Sequence, residues 1–342
     1  MDVNDLAITP KVKESIQTLI NTSIVKCPDE KVINPFDENK RDSDFCVFIL
    51  SYGRAKDVRT AKTLLDKEGS FSQDYYIVCS DDDKSLELYI EEYGDRVLVF
   101  NKDSMASHID MGDNFDKKNV VIFARTICFS FAEKLGYRYF VQFDDDYHKF
   151  MNRYIYDDKM LVHSNITDFD KMLKVHLDFL KSTPCTIVAM AQGGDFIGGA
   201  GNNNALKGHK RKVMNSFFCD CQRPFYFYGT MNEDATYYAH ASRMGILVFT
   251  LYGWMLDQAG TQANSGGLTE IYLESGTYLK SFYSVMFSPS NTKIGKLGSG
   301  AGERIHHQIN GRAAFPEIID EKYSKETYSE LNKDDDDDDD EW

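Results

Sequence analysis

The chain has 342 residues, 42% hydrophobic and 27% charged, an ordinary balance for a globular protein with enough chain to bury one large α/β domain or two small ones. Its formal net charge is −15, but Asp334 to Glu341 are eight consecutive acids, so the rest carries about −7; such a block repels itself and reads as a solvated tail. No stretch approaches the roughly 18 apolar residues of a membrane helix, and no long basic stripe predicts strong sequence-independent binding to phosphate backbones.

Residues 1–43 read as a peripheral arm: Val12 to Ile24 is a short amphipathic helix candidate, followed by polar Pro28 to Ser43. The opening MDVNDLAITPKVKESIQTLI has no apolar signal core, so the expectation is a soluble, cytoplasmic protein. The core begins at Phe45 to Leu50, a short apolar run ending in Ser51-Tyr52-Gly53-Arg54, the pattern of a buried strand closed by a turn. A helix over Val58 to Lys67 follows, then a strand over Tyr75 to Cys79 that ends in polar Ser80 to Asp83. Lys84 to Tyr93 is helix-like, Arg96 to Phe100 a third strand, and Val120 to Leu135 a helix that Gly136 stops. Tyr139 to Phe143 then leads into three aspartates.

Strands alternating with helices predict βαβ units and a mostly parallel, Rossmann-like α/β sheet with flanking helices. Ligands bind such sheets beyond the carboxyl ends of the strands, so Ser51, Arg54, Asp81 and the aspartate triplet stand where a nucleotide site belongs. Beyond Tyr147 the pattern loosens. Ile166 to Leu180 reads as a helix, Thr186 to Met190 as a strand, Gly193 to Asn204 as a loop, Phe217 to Tyr228 as an aromatic strand, and Gly245 to Leu251 as another strand. Residues 258–300 form a Gly/Ser/Thr/Asn-rich, acceptor-side loop region with Tyr272 to Met286 ordered within it.

The seven cysteines, an odd number and several of them inside apolar runs, argue against a secreted disulfide framework. Cys219 and Cys221, two residues apart without partner cysteines, make a poor zinc signature and are expected to be free thiols.

Four constellations carry chemistry. Asp144-Asp145-Asp146 crowds three acids after a buried strand, which is costly unless a cation neutralises them; Asp144 and Asp146 have the alternate spacing of a DxD metal motif, suited to Mg²⁺ or Mn²⁺. An exposed acidic turn is the plainer alternative. Asn232-Glu233-Asp234 is either a helix N-cap or the source of a general base, Glu233 or Asp234. Arg304-Ile305-His306-His307 offers an imidazole to a metal and a guanidinium to a phosphate, or is a surface pair; the preceding GKLGSGAGER has neither the Walker-A lysine and threonine nor a strand–helix setting, so it is not a P-loop. Arg54 and Arg125 are cations that can meet a diphosphate or serve as salt-bridge partners. Lys207, His209, Lys210, Arg211 and Lys212 form the only compact basic cluster.

Taken in order, FILSYGR (Phe48 to Arg54), YYIVCSDDD (Tyr75 to Asp83), FARTICFSFAEKLGYRYFVQFDDDY (Phe123 to Tyr147), MNEDATYY and SGTYLKSFYSVMFSP (Ser275 to Pro289) resemble the phage-type glycosyltransferases associated with TET-like DNA hydroxylases. The resemblance runs from about residue 44 to 323, giving a 44–323 GT-A domain between the arm and a 324–342 acidic tail. It implies a GT-A fold, a nucleotide-sugar donor (a UDP-sugar foremost), a Mn²⁺ or Mg²⁺ cofactor, and the hydroxymethyl group of a modified pyrimidine, foremost 5-hydroxymethylcytosine, in phage DNA as acceptor, with action in the host cytoplasm. It implies that Asp144 and Asp146 hold metal and diphosphate with Asp145 assisting, that Ser51, Arg54, Asp81 and Arg125 belong to the donor side, that Glu233 or Asp234 activates the acceptor, and that His306 or His307 completes the metal shell. Lys207, Lys210, Arg211 and Lys212 are the candidate DNA contacts. Two rival readings are a GT-A enzyme acting on a protein, glycan or small molecule, and an inactive nucleotide-sugar-binding module.

Overall fold

A ten-stranded sheet organises the chain in the computed structural model, which describes residues 23–28, 44–66, 69–112, 118, 120–156, 160–193, 215–227, 229–243, 245–258, 269–297 and 303–310. Its strands are β1 (Ile24–Lys26), β2 (Phe45–Leu50), β3 (Asp74–Ser80), β4 (Val97–Phe100), β5 (Tyr139–Asp144), β6 (Tyr147–Tyr156), β7 (Met160–Asn165), β8 (Ile187–Gln192), β9 (Ser216–Asp220) and β10 (Val248–Gln258). They lie in the order β1-β4-β3-β2-β5-β9-β8-β10-β6-β7. The run β4-β3-β2-β5 is parallel, as is β8 with β10, while β9 and the β6–β7 hairpin join antiparallel. This is the expected α/β class, with its parallel strands where the alternating sequence pattern is strongest.

The helices are α1 (Arg59–Leu64), α2 (Leu86–Tyr93), α3 (Lys102–Ala106), α4 (Ile122–Leu135), α5 (Phe169–Ser182), α6 (Glu233–Arg243) and α7 (Thr269–Phe287). Alternation along β2 sends Cys46, Phe48 and Leu50 into a core with α4, and Phe45, Val47 and Ile49 into a second core with α1, α2 and α5. Both faces are therefore covered, which is why the parallel strands read as unbroken apolar runs. Gly136 ends α4 in a left-handed conformation, φ 77°, with Tyr137 N–H donating to the Ala132 carbonyl at 2.8 Å, the glycine stop foreseen from sequence.

The described part departs from expectation in several places. The aromatic strand stops at Asp220, with Pro224 beyond it. The loose region after Tyr147 contains the β6–β7 hairpin. A second hairpin, β11 (Thr292–Leu297) with β12 (Arg304–Ile309), carries the histidines. All seven cysteines are free, as expected for Cys219 and Cys221. The helix expected over Val12 to Ile24, the acidic tail and the basic cluster Lys207, Lys210, Arg211 and Lys212 lie outside the described residues, apart from the strand end at Ile24.

The chain runs from β2 outward to β3 and β4, then returns to place β5 on the other side of β2. That reversal opens a crevice beyond the carboxyl ends of β2 and β5, the position where open α/β sheets bind ligands. Leu50 pairs with Asp144 across it, so Ser51 and the aspartate triplet emerge side by side.

Candidate active site

The aspartate turn is fixed from beneath by α1. Thr60 Oγ1 donates to the Asp144 carbonyl at 2.6 Å and accepts from Tyr147 N–H at 3.0 Å, while Thr60 N–H donates to the Asp145 carbonyl at 3.2 Å. With the backbone held this way the three side chains part company. Asp145 is buried, its Oδ2 accepting from Ser51 Oγ and its Oδ1 from Arg54 Nη1, both at 2.6 Å. Asp144 and Asp146 are half-buried and stand at the mouth. The alternate spacing thus separates two half-buried carboxyls at the mouth from one buried against Ser51 and Arg54.

The electrostatics follow from that crowding. Burial, with repulsion from Asp144 and Asp145, pushes the Asp146 carboxyl up to about 7. Burial also raises Asp144 and Asp145, against the pull of Arg125 on the first and of Arg54 and Ser51 on the second. Carboxyls held above their ordinary range by burial and by one another are the state that a divalent cation relieves.

The β2 turn is braced by a short relay. Arg54 N–H donates to the Tyr89 hydroxyl at 2.8 Å, and Tyr89 lies 2.6 Å from Ser51 Oγ. Because Ser51 donates to Asp145, Tyr89 is the donor in that contact. Gly53, at φ 72°, turns its N–H onto Asp83 Oδ2 at 2.7 Å. Asp81 faces the other way, accepting from Asn101 Nδ2 at 2.7 Å and Lys102 N–H at 3.0 Å at the start of α3. Tyr89, Asp83 and Thr60 belong to the site although sequence reading passed over them. Only the acids after β3 gave a signal, and that signal pointed to Asp81.

Arg125 comes from α4, a helix buried on nearly all sides. Its side chain is 2% exposed, with Nη2 2.9 Å from Asp144 Oδ1 and Nε 3.1 Å from Glu233 Oε1, and its guanidinium lies 4.8 Å from the Phe217 ring. Asp144 and Glu233 hold it firmly charged against the cost of burial. The residue expected at the diphosphate is therefore enclosed between two carboxylates of the protein. Glu233 and Asp234, both buried, form the first turn of α6, where the helix dipole favours negative charge. Burial raises the Glu233 carboxyl, and Arg125 opposes the rise.

Asn232, just before that turn, adopts φ 56°, an uncommon conformation for a residue with a side chain. Its amide donates to the Lys280 carbonyl at 2.6 Å and lies 3.2 Å from both Ser284 Oγ and His307 Nδ1. His307 is buried and His306 half-buried on β12, so His307 is the imidazole that meets the Asn232 turn.

The acids present suit a hard cation, since carboxylate oxygens are its preferred ligands. Among the described residues no group of three His, Cys, Asp or Glu side chains could hold a metal ion.

A family model described as TET-associated glycosyltransferase matches residues 45–267. Glucosyl-3-phosphoglycerate synthase from Mycobacterium tuberculosis, solved with Mn²⁺, UDP and phosphoglyceric acid, is similar over 78% of this chain and 86% of its own, at 10% identity and TM-score 0.42. S. aureus TarS is similar over 63% of this chain and 36% of its own, at 12% identity and TM-score 0.39. No curated relative matches the chain. Among the described residues, no helix is long and apolar enough to cross a membrane.

Proposed function

Given that this chain belongs to the TET-associated glycosyltransferase family, we propose that it moves a sugar from a nucleotide-sugar donor, foremost a UDP-sugar, to the hydroxymethyl group of a modified pyrimidine in DNA, foremost 5-hydroxymethylcytosine, with a divalent metal. The observation that carries this reading is the pairing of two half-buried carboxyls, Asp144 and Asp146, at the sheet's reversal point with the Glu233-Asp234 turn, joined through the contacts of Arg125 to Asp144 and Glu233. Donor and acceptor chemistry thereby meet at one edge.

Asp144 and Asp146 would hold Mn²⁺ or Mg²⁺, which would neutralise the charge left on the departing nucleoside diphosphate. Ser51, Arg54 and the buried Asp145 shape the donor wall, and Asp81 secures the segment beside it. Asp234 takes the proton from the acceptor hydroxyl, while the neighbouring Glu233 accepts from Arg125 Nε. A pyrimidine must leave the base stack to reach this edge, which calls for contacts to the phosphate backbone. The segment bearing Lys207, Lys210, Arg211 and Lys212 leaves the described fold at Gly193 and rejoins it at Asn215. The strands at those two points, β8 and β9, meet at the edge bearing the aspartates. These cations are the DNA contacts in this reading.

The test is to incubate the protein with Mn²⁺, several nucleotide sugars and hydroxymethylated DNA, digest the DNA, and weigh the nucleosides. A sugar-sized mass gain on the hydroxymethylated nucleoside is expected. Reversing the charges of Lys207, Lys210, Arg211 and Lys212 should abolish that gain and spare slow donor hydrolysis. Donor hydrolysis with no gain on DNA would overturn the acceptor; neither reaction with any donor would overturn the enzyme.

A further inference from the structure

Arg125 has the features of a part that holds other parts. It rises from α4, is closed off from solvent, and spans the distance between the end of β5 and the first turn of α6 with two ion pairs, 2.9 Å to Asp144 and 3.1 Å to Glu233. Its guanidinium lies against the Phe217 and Phe227 rings, 4.8 and 6.0 Å away, and its own backbone carbonyl accepts from Gln142 Nε2 at 2.7 Å from within β5. The planar fork sets the angle between its two partners as well as their separation. Nη1, also buried, has no hydrogen-bond partner among the described residues, so the guanidinium's donors are not all used on the described fold.

We propose that Arg125 and Glu233 form a positioning pair: neither touches the reacting atoms, and together they fix the acceptor-activating Asp234 turn relative to Asp144. The inference rests on the reading above, in which Asp144 serves the donor and Asp234 the acceptor. A lysine at 125 keeps one charge but offers a point donor that cannot bridge both carboxylates in the same geometry. Its effect then falls on the arrangement of the two halves in the transition state, which appears in kcat, more than on ground-state donor affinity.

The experiment is a double-mutant cycle with Arg125→Lys, Glu233→Gln and the double variant, assayed for Mn²⁺-dependent sugar transfer with kcat and donor KM separated, and with melting curves to confirm folding. Each single change is expected to lower kcat about tenfold or more with donor KM within about threefold. The double variant is expected to be no slower than the poorer single variant, because both remove one link. Losses that multiply in the double variant, or that reside in donor KM, would overturn the pairing. Near wild-type kcat in Arg125→Lys would overturn it as well. If Arg125→Lys melts early, Glu233→Gln decides alone by its split between kcat and KM. A wild-type protein that transfers no sugar would count against the functional reading, and in that case the cycle run on melting temperature must still be non-additive for the pair to stand.

Discussion

Arg223 and Arg125 stand at opposite ends of the neighbouring strands β9 and β5, and they are held differently. Arg223, just past β9, gives Nη1 to the carbonyls of Thr183 and Cys185 at 2.7 and 2.5 Å, Nη2 to that of Leu180 at 2.8 Å, and Nε to Asp220 at 3.1 Å. Its guanidinium closes the end of α5, where carbonyls lack helical partners, and every nitrogen is used. Arg125, at the end bearing the aspartates, instead faces two carboxylates and keeps its buried Nη1 without a partner among the described residues. A buried polar group that is fully satisfied supports a fold. A cluster that leaves carboxyls crowded and a donor open costs stability, and such costs are concentrated at functional sites.

The sharpest way to break this contrast is at the crowded carboxyls of the aspartate triplet. Asp146→Asn is expected to lower sugar transfer about a thousandfold, roughly 4 kcal/mol of transition-state stabilisation. It is also expected to leave the melting temperature unchanged or higher, since it removes a charge that Asp144 and Asp145 repel. Transfer assays and thermal melts on one preparation check both. An early-melting variant with ordinary activity per folded molecule would show that the triplet serves the fold.

Arg223→Met is the mirror experiment. It strips three carbonyls and Asp220 of their donor and is expected to cost about 3 kcal/mol of stability, read as a lower urea midpoint. Activity per folded molecule should be unchanged, because Asp220 pairs with Tyr139 at the start of β5 while Asp144 ends that strand at the opposite edge. A fall in kcat would mean that the two edges are coupled.

The same contrast explains what could be read from sequence. The runs Phe45 to Leu50, Tyr75 to Cys79 and Tyr139 to Phe143 became strands because both sheet faces are buried, so no polar alternation interrupts them. The polar residues that end them therefore mark the edge, and the Asp144 triplet and the Glu233-Asp234 turn were visible for that reason. The partners were not. Thr60 and Tyr89 look like ordinary helix residues, and only the return of β5 beside β2 brings them against Asp145 and Ser51. Arg125 read equally as a diphosphate ligand or a salt-bridge partner, because sequence does not show that α4 is enclosed on nearly all sides and holds it against Asp144 and Glu233. The β6–β7 and β11–β12 hairpins escaped too. Tyr147 to Tyr156 carries polar residues through a strand whose neighbours, β10 and β7, lie far along the chain or across a turn, so its pairing is tertiary information.

The smallest effect expected lies on the structural side, at His176. This imidazole stacks on Phe218 at 4.7 Å and meets Trp254 at 5.2 Å, with Nδ1 2.8 Å from the Met172 carbonyl and Nε2 without a partner. Burial pushes it down to about 4, against about 6.5 in an unfolded chain. Between those values the unfolded chain binds the proton and the folded one does not, so stability falls as pH drops through that window. The loss is about 2 kcal/mol by pH 5. His176→Gln is expected to remove this part of the slope when urea unfolding is measured from pH 7 to pH 4, at a constant cost of about 1 kcal/mol from lost ring packing. An unchanged slope would mean that the acid sensitivity belongs to other groups. The crowded carboxyls of the opposite end are not among them, because their raised values make the folded chain the better proton binder and add stability as pH falls.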